Sequence, residues 1–320
     1  MADYPTVDGE PMLSRVSCIN PYLVEAGNFV VASRRTPLSN VPEAMYGSKP
    51  ADGGHLLLSD DEKIALLALE PGARKFVRPL ISADEFLNGK LRWCLWVKDA
   101  KTTELRALPL VRARMTKVAQ FRKASSKAQT RDLADFPGSF AELRQPTASY
   151  IVIPRHSSEA RFYIPLGFCK ATEILSDSCT SVPNATLFHF GVLMSAMHMA
   201  WVRTVCGRIK SDYRYSNNIV YNNFPWPDLD KKSLLAQAMQ ARAAIEIAAQ
   251  AVLDARETES GATLANLYNQ PMPEKLLRAH RKLDTAVDIA YALGGGKKTW
   301  KTDAERVAYL FKLYEGLTSL

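Results

Sequence analysis

Two stretches concentrate the side chains that could do chemistry. GRIKSDYRYSNNIVYNNFPWP, Gly207 to Pro227, sets Arg208, Lys210 and Arg214 around Asp212, interleaves Tyr213, Tyr215 and Tyr221, and adds Asn217, Asn218, Asn222 and Asn223 before closing on Pro225-Trp226-Pro227. Such a set donates hydrogen bonds, accepts them and stacks, but it contains no nucleophile paired with a base. The second stretch, Val111 to Arg131, carries Arg112, Arg114, Lys117, Arg122, Lys123, Lys127 and Arg131 and no acid. Solvated helix faces normally mix signs for i,i+4 pairing, so an all-basic run is either neutralised by counterions or meets an external anion such as a phosphate backbone.

Catalytic motifs are not legible. Gly294-Gly295-Gly296-Lys297-Lys298 fails the phosphate-loop pattern, which needs glycine where Tyr291 stands and Ser or Thr where Lys298 stands. Asn222-Asn223-Phe224-Pro225-Trp226-Pro227 only approximates the Asn-Pro-Pro-Tyr motif of amino-methyltransferases, because Phe224 separates asparagine from proline. A glycine-rich strand-to-helix loop for a methyl donor is also missing. His156-Ser157-Ser158-Glu159 could be imagined as a nucleophile group, yet adjacent residues rarely face one another. Neither Cys18, Cys94, Cys169, Cys179 and Cys206 nor the five histidines fall at metal-ligand spacing, so reduced, mostly buried thiols are expected and a metal site is not.

Composition bounds the class. With 320 residues, 47% of them apolar and 23% charged, the chain is long enough for two cores and reads as soluble and globular. The N-terminus carries acids and a proline where a signal peptide would have basic and then apolar residues, so a cytoplasmic location is expected. Net charge is +8; from Asp228 onward 13 basic residues face 12 acidic ones, which leaves 28 against 21 before it. The basic excess therefore lies in the first two thirds, the bias a polyanion partner would want.

The elements that must position these residues divide at Pro225–Pro227, since two prolines so close exclude both helix and central strand. Before that point, Asn28–Ser33, Arg92–Val97, Ser149–Pro154 and Arg161–Phe168 have the composition of strands, Ser59–Gly72 reads as a capped short helix, and a longer helix is predicted within Thr103–Asp132. After it, Lys231–Glu257, Met272–Leu293 and Asp303–Leu317 read as three amphipathic helices. The expectation is an α+β domain with a twisted sheet over residues 1–227, followed by a small all-α bundle over 228–320. Tyr213, Tyr215 and Tyr221 alternate as in a strand, which favours packing over base stacking, and Met194–Val205 reads as core.

Ile19–Leu38, Met45–Ser59, Ile153–Phe168, Pro183–Ser216 and Ile219–Pro227 together resemble the C-terminal part of MmeI-like DNA methyltransferases, over nearly the whole chain. That family is similar to type II restriction-modification enzymes joining nuclease, adenine methyltransferase and target recognition in one polypeptide. The resemblance implies a fragment: a target-recognition domain and a helical C-terminal domain, with the methyltransferase domain, its S-adenosylmethionine and any nuclease with its Mg lying N-terminal to it. No cofactor is expected in the fragment itself, and no catalytic residue. The implied partners are double-stranded DNA and the missing methyltransferase domain, with no membrane.

The resemblance also assigns base-reading positions: Lys210 with Asp212, Arg155 with Asp177, and Ser178 with Arg214. Their chemistry fits, because guanine offers O6 and N7 acceptors in the major groove while cytosine offers its N4 amino donor, so a base beside an acid complements a G·C pair. Lys210 and Asp212, two apart in an extended segment, would share a face. A surface charge pair is the competing reading for Lys210 and Asp212, and a structural salt bridge for Arg155 and Asp177. Arg112, Lys117, Arg122, Lys123, Arg203 and Arg208 are the candidates for phosphate contacts, which position without specifying. The function competing with DNA readout is a protein-interaction or subunit-assembly module; a stand-alone enzyme with a hidden site is a third reading.

Overall fold

A computed structural model describes residues 2–3, 10–13, 15–28, 30–230 and 232–319. The chain is α+β, with its C-terminal part helical. It forms two compact units, one of residues 45–154 and 168–181, the other of 1–44, 155–167 and 182–320. The helices after Pro227 thus belong to the same unit as residues 182–227, and the units do not divide at Pro227.

In the first unit, Val77–Ile81 lies between Ile174–Leu175, its parallel neighbour, and the antiparallel Trp93–Leu95, which pairs in turn with Leu57–Leu58. A second sheet has the order Met45–Tyr46, Cys179–Pro183, Tyr150–Pro154, Gly167–Cys169. Helix Asp60–Leu69 starts as predicted: Ser59 Oγ accepts from the Glu62 amide, the Glu62 carboxylate accepts from the Ser59 amide, and the helix ends before Pro71. Its Leu66 joins Leu58, Phe76, Leu80, Leu95, Val111 and Val118 in one core.

The single long basic helix predicted here is three helices, Thr102–Arg106, Pro109–Lys123 and Ala128–Asp132. Pro109 fits the first turn, where its missing N–H costs nothing, but cannot continue a helix from upstream. The second break falls at Ser125-Ser126, whose carbonyls accept from the Arg131 guanidinium and whose Ser125 Oγ accepts from the Lys127 amide. Local side-chain bonds there replace helical ones.

The second unit is mostly helical, with a three-stranded sheet of His156–Ser157, Asp212–Arg214 and Gly207–Ile209 and a two-stranded pairing of Ala2–Asp3 with Met12–Leu13. Helices Leu187–Leu193, Ala196–Val205, Leu235–Glu257, Leu264–Tyr268, Glu274–Leu293 and Asp303–Thr318 supply the core. Gly191 lets its helix lie close against two others: a Cβ there would lie 2.6 Å from Ile245 Cγ2 and 3.2 Å from Leu283 Cδ1. Trp201, fully buried, donates to the Val220 carbonyl and packs against Phe311 and Tyr314. Tyr291 donates to the Pro225 carbonyl at 2.7 Å, which fixes the Pro-Trp-Pro segment to Glu274–Leu293.

Two predicted strands of this unit are not strands. Val30–Ser33 has no ladder, and Phe29 lies outside the described residues; instead Asn223 Nδ2 donates to Ala32 O, Asn222 Nδ2 to Arg34 O, and the Val31 amide donates to Tyr22 Oη. Of Arg161–Phe168 only Gly167 and Phe168 enter a strand. Its carbonyls at Phe162 and Leu166 accept from Arg203 and Arg256. In both places long side chains satisfy the backbone that strand pairing would otherwise satisfy.

Candidate nucleic-acid interface

The reading candidates of the Gly207–Pro227 stretch sit on a hairpin. Gly207–Ile209 pairs antiparallel with Asp212–Arg214 in the register Gly207↔Arg214 and Ile209↔Asp212, so Lys210 and Ser211 form a two-residue loop. The expected extended segment is therefore a turn, with Lys210 at its tip in the left-handed region, φ 54°. On the other side of Asp212–Arg214 runs His156–Ser157, with Tyr213↔Ser157 and Arg214↔His156.

Alternation sorts the side chains of this three-stranded sheet. Tyr213 and Ser157 are buried; Asp212, Arg214, Ile209 and His156 are exposed. Tyr215 is buried with its hydroxyl against His198 Nε2 at 3.1 Å, and Tyr221, in the π-helical turn Asn217–Tyr221, donates to Pro42 O. All three tyrosines pack, as do Met194, Met197, His198, Met199 and Trp201. Burial pushes the His198 imidazole down to about 4, so it is a neutral core group.

The charges on the exposed face are largely uncommitted. Among the described residues, neither the Lys210 ammonium nor the Arg214 guanidinium has a hydrogen bond or ion pair, while Asp212 Oδ1 accepts from the Glu159 amide at 3.3 Å. Arg161 is held behind it, on Ser157 Oγ and Asn269 Oδ1, and Asp212 partly offsets the burial that lowers the Arg161 pKa. Arg155 opens the same segment; its carbonyl accepts from the Tyr215 amide at 2.8 Å. Asp177 and Ser178 belong to the other compact unit. There the Asp177 amide donates to Ser48 O, and Ser178 Oγ accepts from the Ala83 amide.

The phosphate candidates separate. Arg122 is a correction: it is fully buried, with Nε on Ala51 O, one terminal nitrogen on Leu133 O and Phe136 O, and the other on Pro50 O and Ser139 O, at 2.6 to 3.0 Å. All five donors of the fork are spent on carbonyls, so none remains for a phosphate. Arg112, Lys117 and Lys123 on the same helix are exposed, whereas Arg114 pairs with Glu62. Arg203 is tied to Asp303 at 2.6 Å and to Phe162 O. Arg208 lies over the Tyr213 ring, 4.4 Å from its centroid, and donates to Ser211 O and Glu159. Arg208 therefore braces the hairpin, while Arg203 ties Ala196–Val205 to Asp303 and to the Phe162 carbonyl.

His156 and Ser157 point to opposite faces of the sheet, which removes the nucleophile reading of that tetrapeptide. Among the described residues no cluster of His, Cys, Asp or Glu could hold a metal, and no helix is long and apolar enough to cross a membrane.

This chain matches the family model "MmeI, target recognition domain" over residues 25–228 and "MmeI, C-terminal domain" over 237–320, and belongs to the MmeI family. Among individual relatives, it is 40% identical over 304 residues to DNA methyltransferase A of Bacillus subtilis (strain 168), covering 95% of this chain and 33% of that protein. It is also similar to the solved structure of the type IIL restriction-modification enzyme MmeI in complex with DNA, with a TM-score of 0.88 and 41% identity, over 100% of this chain and 41% of that one. The chain thus spans about a third of the curated relative it matches.

Proposed function

We propose that this chain is the sequence-recognition part of an adenine-specific DNA methyltransferase or restriction-modification enzyme, and that it reads G·C pairs in the major groove beside the adenine to be methylated. The observation that supports this best is the hairpin, which projects Lys210, Asp212 and Arg214 as a donor, an acceptor and a donor that the chain itself leaves largely unused. A buried or structural role would have consumed those groups within the chain, as backbone carbonyls consume Arg122 and Asp303 with the Phe162 carbonyl consumes Arg203. Lys210 would donate to guanine O6 or N7 and Asp212 accept from cytosine N4. Arg155 with Asp177 would read a second G·C pair, and Arg214 with Ser178 a purine-containing pair between the two.

Arg112, Lys117 and Lys123 supply the phosphate contacts in this reading, giving affinity that falls steeply with salt and does not depend on sequence. The chain has no glycine-rich strand-to-helix loop and no Asn-Pro-Pro-Tyr motif, so S-adenosylmethionine, and Mg if a nuclease is present, are assigned to the rest of a longer polypeptide and no catalytic step is derived from these residues. The test is duplex binding by the chain across a salt series, with every base pair of the bound site replaced in turn. A fall in affinity specific to two G·C pairs supports the reading; equal affinity for all sequences defeats it.

One observation favours a second role. Ile247 is exposed opposite the buried Ala238, Ile245 and Ala249 of Leu235–Glu257, and Leu235 and Met239 are exposed on the flank between. A helix apolar on two sides suits contact with another protein surface. If the chain is instead an assembly module, Leu235→Glu/Ile247→Glu would abolish association with the remainder of the enzyme, and Lys210→Ala would leave all its properties unchanged.

A further inference from the structure

We propose that His156 is a base-reading residue of the same face, contacting the purine that Arg214 contacts and accepting either adenine or guanine there; the proposal rests on the DNA-reading function above.

The placement follows from the ladder. The Tyr215 amide donates to Arg155 O at 2.8 Å, so the next pair along, Arg214↔His156, is a non-hydrogen-bonded pair. In antiparallel sheets that pair brings opposing side chains closest, with Cα atoms about 4.5 Å apart. The other neighbour of Arg214 is Gly207, which has no side chain and open space where one would stand. Arg214 is therefore flanked by a gap on one side and an exposed imidazole on the other. Ser157, the next residue, turns inward. Among the described residues the His156 ring has no hydrogen bond.

Its chemistry differs from its neighbours'. Partial burial first, then the Arg155 and Arg214 charges, push the His156 imidazole below its ordinary pKa, against a smaller opposing pull from Asp212. At neutral pH it carries one N–H and one lone pair, and either nitrogen can hold the proton. Arg214 can donate to N7, which adenine and guanine share. At the 6-position the two purines differ, adenine offering an amino donor and guanine a carbonyl acceptor. A neutral imidazole meets both by exchanging tautomers, whereas a fixed donor or a fixed acceptor would choose one.

The experiment uses the full 320-residue chain and a duplex it selects from a randomised pool, with each selected base pair then replaced singly and affinities measured by fluorescence anisotropy. Wild type should bind adenine and guanine at one position within about threefold while rejecting pyrimidines there. His156→Lys, a donor only, should favour guanine at that position by about five- to tenfold, and His156→Asp, an acceptor only, should favour adenine by a similar factor. Ratios between duplexes are compared, so the added charges, which act on all sequences alike, cancel. If both variants shift every duplex equally, or leave the adenine-to-guanine ratio unchanged while wild type still discriminates elsewhere, His156 is not a reader and the hairpin function stands. If wild type selects no sequence at all, the DNA-reading function itself fails, and this inference with it.

Discussion

Tyr163 donates its hydroxyl proton to Asp284 Oδ2 at 2.7 Å, while the Ala196 amide donates to Oδ1 at 2.7 Å. This one half-buried carboxylate thereby joins the Arg155–Gly167 segment, the first turn of Ala196–Val205 and the middle of Glu274–Leu293. Tyr163 also stacks on His280, with ring centroids 4.0 Å apart, and His280 Nε2 lies 2.8 Å from Tyr268 Oη, which takes bonds from Arg256. The segment that carries Arg155 and His156 is thus anchored by the C-terminal helices.

Burial pushes the Asp284 carboxyl up to about 6, although Tyr163 and Ala196 both favour its ionised form. Its folded pKa exceeds the unfolded value, so its contribution to stability is complete below about pH 4 and is lost as pH rises through about 6. Burial lowers the His189 imidazole to about 4 and acts likewise on His198, which gives the opposite slope over the same range. The comparison is therefore between variant and wild type: the stability of Asp284→Asn relative to wild type should rise between pH 4 and 6 and level off above it, in thermal melts across that range. A constant difference would show that Asp284 is not titrating there.

Arg122 and Lys123 are adjacent and should behave oppositely. Arg122→Met orphans five carbonyls and should cost about 3–5 kcal/mol in urea unfolding. Lys123→Ala should change stability by less than about 0.5 kcal/mol, while weakening all duplexes alike and reducing the salt slope by about 1. A folded Arg122→Met protein of unchanged stability would contradict the buried fork.

Gly191→Ala tests whether the helices after Pro227 share a core with residues before it. The added methyl would press on Ile245, Ala249 and Leu283, and overpacking of this kind costs about 1–3 kcal/mol. The loss should appear as one cooperative shift of the urea midpoint by tryptophan fluorescence and by circular dichroism together. A shift seen by one probe only would mean that the two parts unfold separately.

Lys210 separates stability from reading. A non-glycine residue in the left-handed region costs about 1 kcal/mol, so Lys210→Gly should raise hairpin stability by up to that amount while removing the donor to guanine. Discrimination at one G·C pair should fall by about tenfold. Exchanging the pair, Lys210→Glu with Asp212→Arg, should redirect preference at that position. Unchanged preference in both variants would remove the hairpin from the interface.

The α+β class, the Ser59 cap, the packing of the tyrosines and the helices beyond Pro227 were legible in the sequence, because each depends on local pattern: a capping box, alternation, helical spacing. Strand composition misled at Val30–Ser33 and Arg161–Leu166, where asparagine and arginine side chains from distant segments satisfy the backbone. No local signal marks that substitution.

By itself the sequence determined which groups exist to recognise a polyanion: an all-basic helical run, and a donor, acceptor, donor series at Lys210, Asp212 and Arg214. Only the tertiary structure decided which of them remain available. Arg122 and Lys123 are neighbours in sequence and equal in charge, yet one is enclosed by five carbonyls and the other faces solvent. The cost of burying a charge is set by the oxygens that fold around it, and those come from Pro50, Ala51, Leu133, Phe136 and Ser139. The same holds for His156, an unremarkable residue in the sequence that strand pairing sets directly opposite Arg214.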